Sequence, residues 1–385
     1  MVAAVRRGRS LRRVARQFKV ALSTLQYWLK RVGSQPLAQV QWHNRSSAPH
    51  RQPRQTPIPI QETVCQLRLQ LLQESDLGFI GPESIREQLA QRLPHPTLPS
   101  VRTIARILKR HGLLDAKARR RQAPPPPGWY LPALAAGAFE LDAFDVIEGL
   151  ALEGYGQFET LTARRFWGPA RQAWPTPSVD ADFTVSSLVE FWRQYGLPHY
   201  AQFDNDTRFQ GPHNRPNVLG RVVRLCLSLG VTPVFAPPRE TGFQAAIESF
   251  NNLWEQKAWY RFHHATFPAF QSCSARFVAA CVQRLARRTE QSPPCPAFPK
   301  NWSLDLQAPL HGTVIFLRRT DPSGTVSALG HRWLVDPTWA YRLLRCEVDL
   351  DAHCVRFYCL RRREPTQQPL LKTIPFTLPY HRFRP

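Results

Sequence analysis

The sequence predicts a multidomain protein: a basic all-α front end, a central mixed α/β domain and a small C-terminal β-barrel. Three observations predict it. The 385 residues suffice for two or three separate hydrophobic cores, and 43% hydrophobic content argues against wholesale disorder. The net charge of +23 is concentrated in front, where residues 1–121 hold 23 Lys/Arg against 6 Asp/Glu and the first 61 residues hold no acid. Hydrophobic periodicity also changes along the chain: helical before residue 115, alternating strand and helix over 135–290, and short strands over 306–385.

A solvated surface normally mixes both signs of charge, so an acid-free basic front end points to a polyanion, and nucleic acid fits better than a small acidic substrate. No apolar stretch approaches the roughly 20 residues of a spanning helix, and the N-terminus lacks a signal-peptide apolar core. The expectation is a cytoplasmic, nucleoid-associated protein with no membrane partner. The eight cysteines include no C-x2-C pair and sit mostly in apolar runs, which reads as buried free thiols. His263-His264 has no Cys pair at zinc-finger spacing, so no zinc site is expected.

Within residues 1–33, Val5, Leu11, Val14, Ala15 and Phe18 form one apolar set, and Leu22, Leu25, Trp28 and Leu29 form another. They predict two short helices with a break at Lys19-Val20, the second capped by Ser23. With nine Lys/Arg in this stretch, the pattern is that of a DNA-binding helix-turn-helix rather than a plain hairpin. Ser23, Gln26, Lys30 and Arg31 are its candidate DNA contacts. Residues 34–60, rich in Pro, Gln, Ser and Arg, read as a linker.

A second helical module is expected over 61–115, with helices at Glu62–Glu74, Ser84–Gln91 and Val101–His111, the last capped by Ser100. The last helix sets Arg102, Arg106, Lys109 and Arg110 against Val101, Ile104, Ala105 and Leu108. That suits either a second recognition helix or an ordinary basic surface. Over 116–134, Lys117, Arg119, Arg120, Arg121 and Pro124–Pro127 form a stiff basic connector suited to tracking phosphates.

Strand signals over Phe139–Phe144, Gln157–Ala163, Ala170–Trp174, Tyr200–Phe203 and Thr232–Phe235 alternate with helical ones over Phe183–Tyr195, Leu219–Leu229, Gly242–Tyr260 and Phe267–Arg288. Residues 291–305 are a Pro-broken connector. Beyond Gly312, short β-rich runs separated by turns predict the barrel, with Arg318-Arg319 and Arg361-Arg362-Arg363 flanking its strands.

Asp142 lies inside the first strand pattern, Asp204 directly after the fourth, and Glu248 within a helix, with 61 and 43 residues between them. Phosphodiester displacement gains from two divalent ions held by hard oxygen ligands, which carboxylates from two adjacent strands and a facing helix supply. Asp145, three residues from Asp142, faces the opposite side of a strand and is passed over on that ground. Asp206 is read as capping the local turn rather than touching metal through water, Asn205 as shaping its loop, and Arg239 and Glu240 as lying near an expected DNA path or on an exposed loop.

The stretches FELDAFDVIEGL, YGLPHYAQFDNDTRFQG and VFAPPRETGFQAAIESFNNLWEQKAW resemble the three carboxylate blocks of insertion-sequence transposases of the retroviral-integrase superfamily. The resemblance implies a ribonuclease-H-like core and metal-dependent DNA cleavage and strand transfer. Asp142, Asp204 and Glu248 would be the catalytic, metal-binding residues for two Mg2+ or Mn2+ ions. The partners implied are double-stranded DNA, both element ends and target, and further copies of the chain in the DNA complex. The chain departs from the family at Asp206, where many relatives have Gly, at Gln244-Ala245-Ala246 in place of an Asn-Gly, and at Ser249 in place of a common Arg. The second carboxylate interval is also longer than usual, with GPHNRPNVLG at 211–220 as the inserted loop. A catalytically inactive DNA-binding protein derived from such an enzyme is the main alternative; an RNA-cleaving nuclease on the same fold is a third, against which the two basic helical modules favour duplex DNA.

Overall fold

A computed structural model describes residues 1–43, 56–75, 77–92, 97–114, 125–212, 215–240, 242–287, 292–379 and 382–383. Lys117, Arg119, Arg120 and Arg121 lie outside the described residues. The chain divides into two compact units, Met1–Gln61 and Glu62–Pro385.

In the first unit three helices form where two were expected: α1 Val2–Arg6, α2 Leu11–Gln17 and α3 Leu22–Val32. Ala4, Val14, Ala15 and Leu25 make its small core, with Val5, Leu11 and Leu29 packed around them. Lys19 takes a positive φ at the turn between α2 and α3, where the break was expected. Two expectations fail here. The residue at the N-cap of α3 is Ala21, not Ser23, and Phe18 is left exposed.

The second unit begins within α4 (Ile58–Glu74), followed by α5 (Pro82–Ala90) and α6 (Val101–Arg110). Ser100 caps α6 as expected, its hydroxyl accepting from Thr103 N–H at 3.2 Å. Val64, Leu67, Ile85, Leu89, Ile104 and Leu108 form the core of these helices. After α7 (Pro132–Ala135) come β1 (Leu141–Leu152), β2 (Gly156–Arg165), β3 (Arg171–Thr176), α8 (Ala181–Tyr195), β4 (Tyr200–Phe203), α9 (Thr207–Gln210), α10 (Arg221–Ser228), β5 (Thr232–Phe235), α11 (Ala245–Trp254) and α12 (Phe267–Ala286). A π-helical turn, Glu255–Trp259, extends α11. Strands β6 (Thr313–Arg319), β7 (Thr325–Ala328), β8 (His331–Leu334), β9 (Leu343–Asp349), β10 (Cys354–Leu360) and β11 (Leu370–Pro375) follow.

The strands form one nine-stranded sheet in the order β11-β10-β9-β6-β5-β4-β1-β2-β3, with β7 and β8 pairing apart as a hairpin. The C-terminal strands therefore extend the central sheet, and the expected barrel is not found among the described residues. The physical reason is β6, which runs parallel to β5. Its Val314 and Phe316 enter the core on one sheet face, and its Ile315 and Leu317 enter the core on the other. A strand apolar on both faces belongs inside a two-sided layer.

Those two cores set up the site. On one face Phe144, Phe203 and Phe235 pack with Phe191 and Trp192 of α8 and Val222 and Val223 of α10. On the other, Leu141, Ala143 and Ile147 pack with Ile247, Phe250 and Trp254 of α11 and Phe270 and Phe277 of α12. All eight cysteines are free thiols, and six are buried. No helix among the described residues is long and apolar enough to cross a membrane.

Candidate active site

Strand alternation decides which carboxylates can meet. Asp142 and Phe144 of β1 point to the α8 face, whereas Ala143 and Ile147, and with them Asp145, point to the α11 face. β1 and β4 run parallel with Asp142 level with Ala201 and Ala143 level with Gln202. Continuing that register by two residues sets Asp145 beside Asp204, the first residue after β4. From above, α11 places Glu248 in its first turn and Asn251 one turn on.

Asn251 donates from Nδ2 to Asp145 Oδ2 at 2.7 Å. The Thr162 hydroxyl, from the position on β2 paired with Asp145, lies 2.7 Å from Asn251 Oδ1 and 3.1 Å from the Asp145 carbonyl. Burial first, and then the negative charges of Asp204 and Glu248, push the Asp145 carboxyl up to about 7 against the hydrogen bonds of Val146 N–H and Asn251. Burial likewise raises Asp204, whose Oδ1 accepts from Asp206 N–H at 2.9 Å. Three carboxylates thus share one electrostatic neighbourhood, with Glu248 on the exposed side.

Asp142 is separated from them. Its carboxylate is fully buried and takes a bidentate pair from Arg165, Nε to Oδ1 at 2.8 Å and Nη2 to Oδ2 at 2.9 Å, plus Trp192 Nε1 at 3.2 Å. Arg165 also donates to the carbonyls of Tyr195 and Gly196. Burial pushes the Asp142 carboxyl upward against the pull of Arg165, and Arg165, despite its own burial, is held above its ordinary value by Asp142. The ligand sites of Asp142 are filled by protein, on the wrong face of the sheet for α11. The three expected carboxylates are not brought together; Asp204 and Glu248 share their neighbourhood with Asp145 instead.

No protein-family model matches the chain, and no curated protein sequence matches it. Among solved structures it is similar to the catalytic core domain of BIV integrase, at 15% identity and a TM-score of 0.28, over 36% of this chain and 81% of that one. It is also similar to a chain of the simian T-cell lymphotropic virus intasome in complex with PP2A regulatory subunit B56 gamma. That match has 12% identity and a TM-score of 0.33, over 69% of this chain and 92% of that one.

Around the carboxylates the loops are tied down by side chains. Asp206 caps α9 through Arg208 N–H at 2.8 Å, the turn role expected of it. Asn205 shapes its loop, donating to Ala236 O at 2.6 Å and accepting from Arg318 Nη2 at 2.8 Å. Arg208 joins Asp206, Glu159 and Glu148, the last carried at a bulge of β1 between Ile147 and Leu150. Arg164 donates to the Ala246 carbonyl and so holds the first turn of α11 onto β2. Glu240 is engaged by Arg319 and Arg362 rather than by the carboxylates. Among the described residues no three His, Cys, Asp or Glu side chains are gathered closely enough to form a ready-made metal cage.

Of the expected DNA contacts, Ser23, Gln26 and Lys30 are exposed on α3. Arg31 is committed elsewhere, donating to the carbonyls of Gln41 and His43 and lying over Trp28 at 4.7 Å. Arg102, Arg106, Lys109 and Arg110 share the exposed face of α6, opposite the buried Ile104, Ile107 and Leu108. Sequence reasoning missed Asn251 and Thr162. Asn251 was within reach of it, since it stands three residues after Glu248 and shares its helix face.

Proposed function

We propose that this chain is a transposase of the integrase type, a polynucleotidyl transferase that binds the ends of a mobile DNA element and cleaves and joins strands, with Asp145, Asp204 and Glu248 as its working carboxylates. The observation that carries the reading is the register that sets Asp145 beside Asp204 on the sheet face covered by α11, which carries Glu248 in its first turn. Asp145 takes the role the sequence assigned to Asp142, whose carboxylate is spent on Arg165. The three sequence blocks and the basic front end support the same reading.

The donor set fits a hard divalent ion. It is all oxygen, and the upward shift of Asp145, caused first by burial and then by the charges of Asp204 and Glu248, is one that a cation between them would offset. Mg2+ or Mn2+ held there would supply activation of the attacking oxygen and stabilisation of the leaving one. The chain's own residues do the positioning. Asn251 and Thr162 fix the orientation of Asp145, Asp206 N–H fixes that of Asp204, and Arg164 fixes the height of Glu248 by anchoring α11. The exposed bases of α3 and α6 would hold duplex DNA in register by its phosphates and groove edges.

The test is cleavage of a labelled end-containing duplex with Mg2+ or Mn2+, beside a binding measurement for each variant. Asp145→Asn, Asp204→Asn and Glu248→Gln are expected to abolish cleavage and joining and to leave duplex binding nearly intact. Normal cleavage by Asp145→Asn would remove it from the site. A wild type inactive on its own element ends with every divalent ion would favour a DNA-binding protein descended from such an enzyme.

A further inference from the structure

Immediately beyond Asp204 lies a cleft of about 240 Å3 lined by Asn205, Gln210, Arg215 and Arg318 among others. It shares Arg215 and Val218 with a second cavity of about 530 Å3, to which Arg224 and Arg382 also contribute. Among the described residues no Asp or Glu lines either cavity.

Arg318 is the unusual member. It is nine-tenths buried, yet among the described residues it has no carboxylate partner. It donates to the carbonyls of Leu317 at 2.9 Å and Ala236 at 3.3 Å and to Asn205 Oδ1 at 2.8 Å. A guanidinium carries five N–H groups, so Nε and one Nη2 hydrogen are left over. Burial pulls this arginine down to about 10, the mark of a charge without a counter-charge. Nearby, Gln210 lines the same cleft, and its Oε1 is buried with no hydrogen-bond partner among the described residues. Arg215 stands exposed at the mouth.

We propose that this cleft, which opens on the α10 face of the sheet, binds a phosphate of a single nucleic-acid strand, and that the adjoining basic cavity receives the phosphates that follow. Arg318 supplies the buried positive charge and spare donors, and Arg215 the link between the two cavities. The first cleft's volume of about 240 Å3 can hold a phosphodiester but not a duplex. A repeated series of cations, Arg318, Arg215, then Arg224 and Arg382, matches a repeated anion better than an isolated one. That the bound strand is also the one cleaved rests on the proposed function.

The test uses the full chain, a short fluorescent single-stranded oligonucleotide, and excess unlabelled duplex to occupy the basic helical modules. Anisotropy titrations at several salt concentrations compare wild type, Arg215→Ala and Arg318→Gln. Each variant is expected to weaken binding several-fold and to reduce the log–log salt slope by about 0.7, the loss of one phosphate contact. Because Arg318 also holds Asn205, its variant is read only if its melting temperature is unchanged; the exposed Arg215 keeps the test decisive. Unaltered affinity and slope for Arg215→Ala overturn the proposal. So does a result in which inorganic phosphate protects the protein from thermal unfolding through Arg318 while oligonucleotide binding ignores it, because the site then serves a free anion. The active-site reading fails separately: Arg-dependent strand binding without metal-dependent cleavage leaves the cleft standing, whereas cleavage that survives with no Arg-dependent binding removes only the cleft.

Discussion

Burial and the charges of Asp204 and Glu248 hold the Asp145 carboxyl at about 7 in the folded chain, against an ordinary 3.8. Between those two values the folded state keeps a proton that the unfolded state has released, so stability falls as pH rises through that window. Asp145→Asn removes this penalty. Its melting temperature at pH 8 is expected to exceed that of the wild type by about 2–4 °C, with the gap closing by pH 5. Calorimetry at the two pH values checks it, and a lower melting temperature at pH 8 would contradict the assignment. Asp142→Asn should do the reverse, because it strands Arg165 in the interior; breaking a buried pair costs about 3–5 kcal/mol. Replacing Asp142 and Arg165 together by apolar residues should recover much of that loss in denaturant titration. The sequence told these two aspartates apart only in part. Alternation shows that they face opposite ways, but which side carries α11 depends on a contact between residues about a hundred positions apart, and nothing local encodes it.

Short stretches with uniform patterns were legible. Tyr200–Phe203 and Thr232–Phe235 are β4 and β5 to the residue, and α8 starts two residues before its expected Phe183 because Asp180 accepts the N–H of Phe183. β11 escaped notice: it is an edge strand of exposed and half-buried residues carrying Lys372 and ending at Pro375, features of a strand shielded from further pairing rather than of an apolar run. The barrel expectation failed because short strands and turns look the same whether they close on themselves or join a neighbouring sheet. The helices α4–α6 give two predictions. Arg284 of α12 lies over Phe79 at 3.9 Å and donates to Glu87 and Ser84 of α5, while Phe79 stacks on Phe277. Arg284→Ala should therefore speed amide exchange in α5 and α6 while leaving the sheet protected; uniform acceleration would mean this contact does not fasten them. On α6, Arg106→Gln with Lys109→Gln should weaken duplex binding and lower its salt slope by about 0.9 per residue if both meet phosphates. An unchanged slope would make that face an ordinary solvated surface.

Over the whole of the second unit, a single layer of strands runs from β3, past the carboxylates, to β11. Chain 306–385 is therefore not expected to fold when expressed alone: β6 would bare both apolar faces and the edge it offers β5. A cooperative melt with strand-type circular dichroism from that fragment would count against this. The join itself is narrow. Two residue pairs, Val234 with Ile315 and Phe235 with Phe316, link β5 to β6, whereas seven link β6 to β9. What holds the two halves edge to edge is mostly side-chain packing, such as the stacked rings of Phe235 and Phe316 at 5.2 Å. Packing forces vanish within a small displacement, and a two-rung ladder has little to share a load. Held by its ends and stretched, the unit should first tear along this line, in an early low-force event that leaves the seven-rung side intact.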